Sequence, residues 1–142
     1  MADSPTLHVD IVSAEGEVFS GAALRVYAPG SQGELGIAPR HAPLLTLLKP
    51  GELRVQTPDG AEQSFFVGGG ALEVQPKAVI VLADTALRAA DLDESAAVAA
   101  KQRAEEALKG QVDKVTEAEA LAELSRAVAQ IRLLEKLRKL RS

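Results

Sequence analysis

Residues 33–43, GELGIAPRHAP, gather side chains that invite a functional reading: Glu34, Arg40 and His41, set among two glycines and two prolines. A histidine can act as a general acid or base, or ligate a metal, near neutral pH. That chemistry needs partners at matching spacing, and the chain supplies few. The only other histidine, His8, falls on the polar side of an alternating segment, and there is no cysteine. Two histidines in such different settings form neither a metal set nor an acid/base pair, so a structural or contact role is expected for each. None of the serines sits in a nucleophile motif. The triple glycine at 68–70 is followed by neither a helix nor a Lys-Ser/Thr pair, so it reads as a bulge or sheet corner and not as a phosphate loop. Asp91, Asp93 and Glu94 cluster where a helix should begin, a place that favours negative charge. Residues 1–85 carry a net charge of −5, and aromatic residues make up 3% of the chain, which excludes a basic, stacking nucleic-acid surface.

The elements that hold these residues fall into two classes. Between residues 6 and 83 the chain reads as short strands. TLHVDIVS alternates with Leu7, Val9 and Ile11 on one face. EVFSG, ALRVYAP, ELGIA, LLTLLKP, ELRVQTP, EQSFFVG, ALEVQ and AVIVLAD follow at close intervals, divided by Pro-Gly, Asp-Gly and Gly-Gly-Gly signals. Asp59-Gly60 suits a type I′ hairpin turn, in which both central residues take positive φ. Short strands at regular spacing predict a β-sandwich or flattened barrel. From residue 91 the period changes. Asp91 can cap a helix, with Glu94 as its reciprocal capping-box residue. That helix is expected to stop at Lys109-Gly110. A second helix begins at a cap supplied by Asp113 or by Thr116 with Glu119, and runs to about Leu140. So short a link predicts an antiparallel hairpin or a straightened pair. The expected organisation is α+β, with a β-sandwich over 1–86 followed by two helices over 87–142.

The helices face each other with alanine: Ala96, Ala97, Ala99, Ala100, Ala104 and Ala107 on the first, Ala118, Ala120, Ala122, Ala127 and Ala129 on the second. Such a seam lets backbones approach but buries little apolar area, at ~0.8 kcal/mol per buried CH₂. The larger apolar residues, Leu133, Leu134, Leu137 and Leu140, collect near the end and spread too widely for one face. This pattern fits a detachable arm, the alternative being an ordinary hairpin docked on the sandwich. The last turns carry Arg126, Arg132, Lys136, Arg138, Lys139 and Arg141 against Glu135 alone. That basic tip suits an acidic partner surface, or simply complements the helix dipole. No apolar run reaches the ~20 residues of a membrane helix, and no signal peptide opens the chain. The expectation is a soluble, cytoplasmic protein with no direct membrane insertion.

VDIVSAEGEVFSG at 9–21, GELGIAPRHAPLLT at 33–46, GGGALEVQ at 68–75 and VIVLADTALRAADLD at 79–93 together resemble the epsilon subunit of the bacterial F-type ATP synthase, called delta in mitochondria. The helical AAKQRAEEAL and AELSRAVAQIRLLE extend the resemblance over nearly the whole chain. It implies an N-terminal β-sandwich of about ten strands with a C-terminal two-helix antiparallel hairpin, in a non-catalytic subunit at the foot of the rotor stalk, at the cytoplasmic face of the bacterial inner membrane. The sandwich would bind the gamma subunit and the c ring and so couple proton translocation to ATP synthesis. The segment 33–43 would face the polar loops of the c ring, with Glu34, Arg40 and His41 as docking residues. The hairpin would be a regulatory arm that, extended toward the alpha and beta subunits, inhibits ATP hydrolysis. Its tip residues Arg126, Arg132, Lys136, Arg138 and Lys139 would meet acidic groups there.

Some members of that family bind ATP on the folded arm through Ile or Leu, Asp, two residues, Arg, Ala. Here Leu92-Asp93-Glu94-Ser95-Ala96-Ala97 keeps the aspartate but has alanine for the arginine. Asp93, Arg103 and Arg126 remain as contacts for at most weak ATP binding, and no other cofactor is expected. An ATP-sensing module built on the hairpin is the alternative reading.

Overall fold

The computed structural model describes residues 5–110 and 113–141, in two compact units, Met1–Arg88 and Ala89–Ser142. The first unit is built from eight strands: β1 (Leu7–Ser13), β2 (Gly16–Ala23), β3 (Arg25–Gly30), β4 (Gly33–Ile37), β5 (Leu44–Gln56), β6 (Glu62–Gln75), β7 (Ala78–Ala83) and β8 (Ala86–Arg88). They form one sheet in the order β2-β1-β7-β6-β5-β3-β4, with β8 also on β6. β1 and β7 run parallel, and every other pairing is antiparallel.

There are eight strands because segments that read as separate in sequence are continuous in space. LLTLLKP and ELRVQ join as β5 through Pro50-Gly51, and EQSFFVG and ALEVQ join as β6 through the three glycines. The triple glycine is the corner that doubles the sheet over. Beyond it β6 pairs with β7, and before it with β8. Gly70 has φ of 133°, and a Cβ there would lie 2.1 Å from the Leu82 carbonyl oxygen. Only a glycine fits such an approach.

The folded sheet encloses Leu7, Val9, Ile11, Val26, Leu53, Val55, Phe65, Val67, Leu72, Val74, Val79 and Val81, all buried. They are the alternate residues of their strands, as a period of two requires. No polar or charged residue among those described is buried. At the unit's end Arg88 staples three strands. It donates to Gln63 Oε1 at 3.0 Å and to the Val18 carbonyl at 3.2 Å, and covers the Phe65 ring at 5.3 Å.

The second unit holds α1 (Glu94–Lys109) and α2 (Lys114–Arg141). The cap of α1 is Asp93, not Asp91. Residues Ala89–Asp91 form a 3₁₀ turn, and Asp93, extended at φ −106°, accepts from the Ala96 amide at 3.2 Å. Both aspartates suit the role, and the 3₁₀ turn delays the start of the α-helix by consuming Asp91. Of the two caps open for α2, the structure uses Asp113, which accepts from the Thr116 amide at 2.7 Å. That bond holds the Asp113 carboxyl below its ordinary value. The helices run antiparallel, their register marked by Arg103–Glu123 at 3.2 Å and Arg138–Glu94 at 2.7 Å. Ala97 and Ala104 of α1 and Ala120 and Ala127 of α2 are buried, each pair seven residues apart. That spacing returns to one helix face.

Candidate functional site: the sandwich surface and the hairpin tip

The predicted docking residues occupy opposite ends of β4. Glu34 stands near its start, paired with Pro29 across the β3–β4 hairpin. Its carboxylate Oε1 accepts from Arg54 Nη2 at 3.1 Å. Arg54, on β5, lies over the ring of Tyr27 on β3, 4.4 Å from its centroid. Arg40 and His41 lie beyond the other end of β4, in the loop before β5. Arg40 has φ of 67°, the only non-glycine residue with positive φ among those described, and its amide donates to the Pro76 carbonyl at 2.8 Å. Such a conformation is uncommon outside glycine and persists where the surroundings impose it. The loop is thereby tied to the turn between β6 and β7. His41 Nδ1 lies 2.8 Å from the Ala42 carbonyl. In the neutral ring that bond places the proton on Nδ1 and leaves Nε2 as an acceptor.

His8 forms a cluster that sequence spacing did not reveal. Ser20 Oγ donates to Asp10 Oδ1 at 2.6 Å, and His8 Nε2 lies 3.1 Å from that same oxygen and 3.2 Å from Ser20 Oγ. The three residue types are those of a hydrolytic triad, but the wiring is different. A triad engages the aspartate through Nδ1 and the serine through Nε2. Here one ring nitrogen meets both, and the serine proton is given to Asp10. The Ser20 bond and, to a lesser degree, His8 hold the Asp10 carboxyl below its usual range. The group is exposed and braces β1 against β2. No cluster of metal-ligating side chains exists among the described residues.

One surface feature of the sheet is apolar. On the outer face of the sheet, Leu47 pairs with Ala71, Ala71 with Leu82, and Leu82 with Val12, making one row across four strands. Leu47 is 65% exposed, Leu82 56%, and Leu45, two positions along β5, 75%. A shallow groove lined by Leu47, Leu48, Gly70, Ala71, Leu82 and Asp84 runs through it. Contiguous exposed leucines of this kind mark an interaction surface. The sequence carried a signal for it. Leu44-Leu45, Leu47-Leu48 and the run VIVLA are apolar at consecutive positions, whereas an antiparallel sheet with one wet face should alternate.

On the hairpin the predicted residues divide. Arg132, Lys136 and Lys139 are exposed and lie on one stripe of α2 at i, i+4 and i+7. Arg138 lies off that stripe and pairs with Glu94. Arg126 is half-buried. Arg103 is held by Glu123, three residues before Arg126 on α2. Asp93 is ten residues up α1 from Arg103, about 15 Å along the axis, with its carboxylate engaged as the cap. A cleft of about 200 Å³, lined by Ala89, Ala90, Leu92, Glu94, Leu134, Leu137 and Arg138, lies between the start of α1 and the end of α2. No helix among the described residues is long and apolar enough to cross a membrane.

Comparison with known proteins matches both units. Residues 6–89 match the family described as ATP synthase, Delta/Epsilon chain, beta-sandwich domain, and residues 90–135 its long alpha-helix domain. The ATP synthase epsilon chain of Nitrosococcus oceani is 60% identical over 134 residues, covering 94% of this chain and 96% of that one. The epsilon chain of Halorhodospira halophila is 60% identical over 136 residues, with the same coverage. Among solved structures, a chain of the Euglena gracilis mitochondrial ATP synthase (OSCP/F1/c-ring) superposes with a TM-score of 0.79 at 16% identity, over 91% of this chain and 81% of that one. A chain of the Tetrahymena thermophila central stalk and c-ring gives 0.61 at 17% identity, over 92% and 95%. With both units matched in order and relatives at this identity along nearly their whole length, the chain belongs to the ATP synthase delta/epsilon family, as an epsilon subunit of the F-type enzyme.

Proposed function

We propose that the chain is a non-catalytic subunit of the rotor stalk of an F-type ATP synthase, where it couples proton flow through the c ring to ATP synthesis and restrains ATP hydrolysis through its helical arm. The observation that carries the docking half is the row Leu47–Ala71–Leu82 with Leu45, an exposed apolar stretch across neighbouring strands of the sheet. Its partner is the gamma subunit. The loop containing Arg40 and His41, with Glu34 at the far end of β4, meets the polar loops of the c ring. Two features suit that loop to docking: Arg40 fixed in a left-handed conformation, and its amide anchored on Pro76. A preformed loop loses little entropy when it docks.

The arm is the regulatory part. Its buried seam is Ala97, Ala104, Ala120 and Ala127 with Leu133 as the one large side chain, so it buries little per residue and keeps alternative arrangements within a few kcal/mol of each other. The stripe of Arg132, Lys136 and Lys139 supplies positive charge for acidic residues on the alpha and beta subunits. The protein is thereby held at the cytoplasmic face of the inner membrane through its complex. An ATP-sensing role for the hairpin is less well supported, since the Asp93 carboxylate and the Arg103 guanidinium are already engaged with Ala96 and Glu123.

Truncation after Ala90 tests both halves in the assembled complex. The shortened chain should still restore coupled proton pumping to a complex lacking this subunit, and ATP hydrolysis should rise. Loss of assembly would refute docking by the sandwich, and unchanged hydrolysis would refute inhibition by the arm.

A further inference from the structure

The guanidinium of Arg54 crosses two strands. From β5 it passes over Tyr27 on β3 to reach Glu34 on β4, a span of about 10 Å at the usual strand spacing. Three conditions make the reach possible. Tyr27 pairs with Arg54 on one side and Gly36 on the other, so all three lie in one row. Gly36 carries no side chain, and the Tyr27 ring lies against it: a Cβ there would already be 3.4 Å from Tyr27 Cε1. The ring therefore forms a flat bed on which the guanidinium lies at 4.4 Å, a geometry that favours cation–π attraction.

Each guanidinium nitrogen faces a different carboxylate. Nη2 meets Glu34 at 3.1 Å, Nη1 meets Glu62 at 3.6 Å, and Nε meets Glu52 at 3.9 Å. The Glu52 side chain is 17% exposed and the Glu62 side chain 48%, whereas that of Glu34 is 65% exposed. Glu34 is thus the carboxylate most open to an incoming partner, and the one held at hydrogen-bond distance. The Arg54 bond engages Oε1, and a carboxylate has acceptor capacity for several bonds.

We infer that Arg54, bedded on Tyr27, is a positioning residue for rotor docking: it orders the Glu34 carboxylate before a partner's hydrogen-bond donors arrive. The inference rests on the proposed docking role of Glu34 and names what makes that glutamate effective. A glutamate ordered in advance spares the immobilisation that docking would otherwise impose, worth about 3- to 10-fold in affinity for one long side chain. Lysine should not replace Arg54, because a point charge neither stacks flat on the ring nor presents a fork.

The test adds full-length variants to an ATP synthase complex depleted of this subunit and measures the half-saturating concentration for restored ATP-driven proton pumping. Thermal unfolding of each free variant runs in parallel. Glu34→Gln, Arg54→Met and Arg54→Lys should each raise half-saturation about 3- to 10-fold, with melting temperatures near that of the parent. The double variant Glu34→Gln/Arg54→Met should be no weaker than Glu34→Gln alone, because Arg54 acts through Glu34. A normal half-saturation for Arg54→Met beside a raised one for Glu34→Gln overturns the positioning role and leaves the docking role standing. So do multiplied effects in the double variant, or full function in Arg54→Lys. A normal half-saturation for Glu34→Gln removes the docking role itself.

Discussion

Replacing Leu47 with threonine tests the proposed docking face most directly. Threonine branches at Cβ and so suits a strand, and the sandwich itself should be undisturbed. Leu47 is 65% exposed, and its Cα partner Ala71 faces outward with it. Full burial of a leucine side chain is worth about 1.5–3 kcal/mol, so covering the exposed two thirds contributes roughly 1–2 kcal/mol to docking. Losing that weakens docking by about 5- to 30-fold. A second substitution, Leu82→Thr, removes a comparable share from the other side of Ala71. The assay titrates each variant into a complex lacking the subunit and reads the concentration that restores coupling. Urea unfolding of the isolated chain serves as control, with an expected change within about 0.5 kcal/mol, as for surface sites generally. Unaltered docking for both variants would refute the assignment of this face. So would a stability loss large enough to account for the weakened docking, since the leucines would then be structural.

Other expectations concern the corner, a helix cap and the nucleotide. Gly70→Ala should cost ~3 kcal/mol or more, a fall of at least about 12 °C in melting temperature, because the methyl meets the Leu82 backbone and the φ is foreign to alanine; thermal denaturation checks this. The Asp113 carboxyl is held below its ordinary value of 3.8 by the Thr116 amide. A lowered folded-state pKa gives stability that is present above the unfolded value and lost as pH falls through the folded one. The first turn of α2 should therefore loosen only in that acidic range, as followed by NMR of its amides, and Asp113→Asn should remove this dependence. Calorimetry with ATP should find binding no tighter than millimolar, and micromolar affinity would restore the sensing role.

How much of this was open to sequence reading depends on the range of the forces involved. Local periodicity settles the element types. Val9 and Ile11, or Val79 and Val81, alternate because a strand has a period of two, and the run from Glu94 to Lys109 lacks strand formers except Val98. The change at residue 91 and the triple-glycine corner are local as well. The expected type I′ turn at Asp59-Gly60, in contrast, is not formed: Gly60 has φ of 87° but Asp59 is not positive, and the Gly60 amide closes a turn on the Thr57 carbonyl with Pro58 and Asp59 at its centre. The family resemblance rested on the order of such segments. Choices between near-equivalent local options were less legible. Asp91 and Asp93 can each cap a helix, and a 3₁₀ turn of Ala89–Asp91 decides between them. LLTLLKP and ELRVQ read as two strands because Pro50-Gly51 looks like a turn, yet pairing with β6 carries the strand through it.

The amino-acid sequence by itself determined the division into a strand-built part and a helical hairpin, the alanine seam and the basic C-terminal tip, since each is a pattern of neighbours along the chain. Tertiary structure alone decided what meets what. Arg54 reaches Glu34 across twenty residues, Ser20 joins His8 and Asp10 across the β1–β2 hairpin, and Leu47 lines up with Leu82 through Ala71. Those meetings follow from strand order and register. The whole folded sheet fixes these, through burial of one face and the sharp turn at Gly70, and no short window of sequence contains that information.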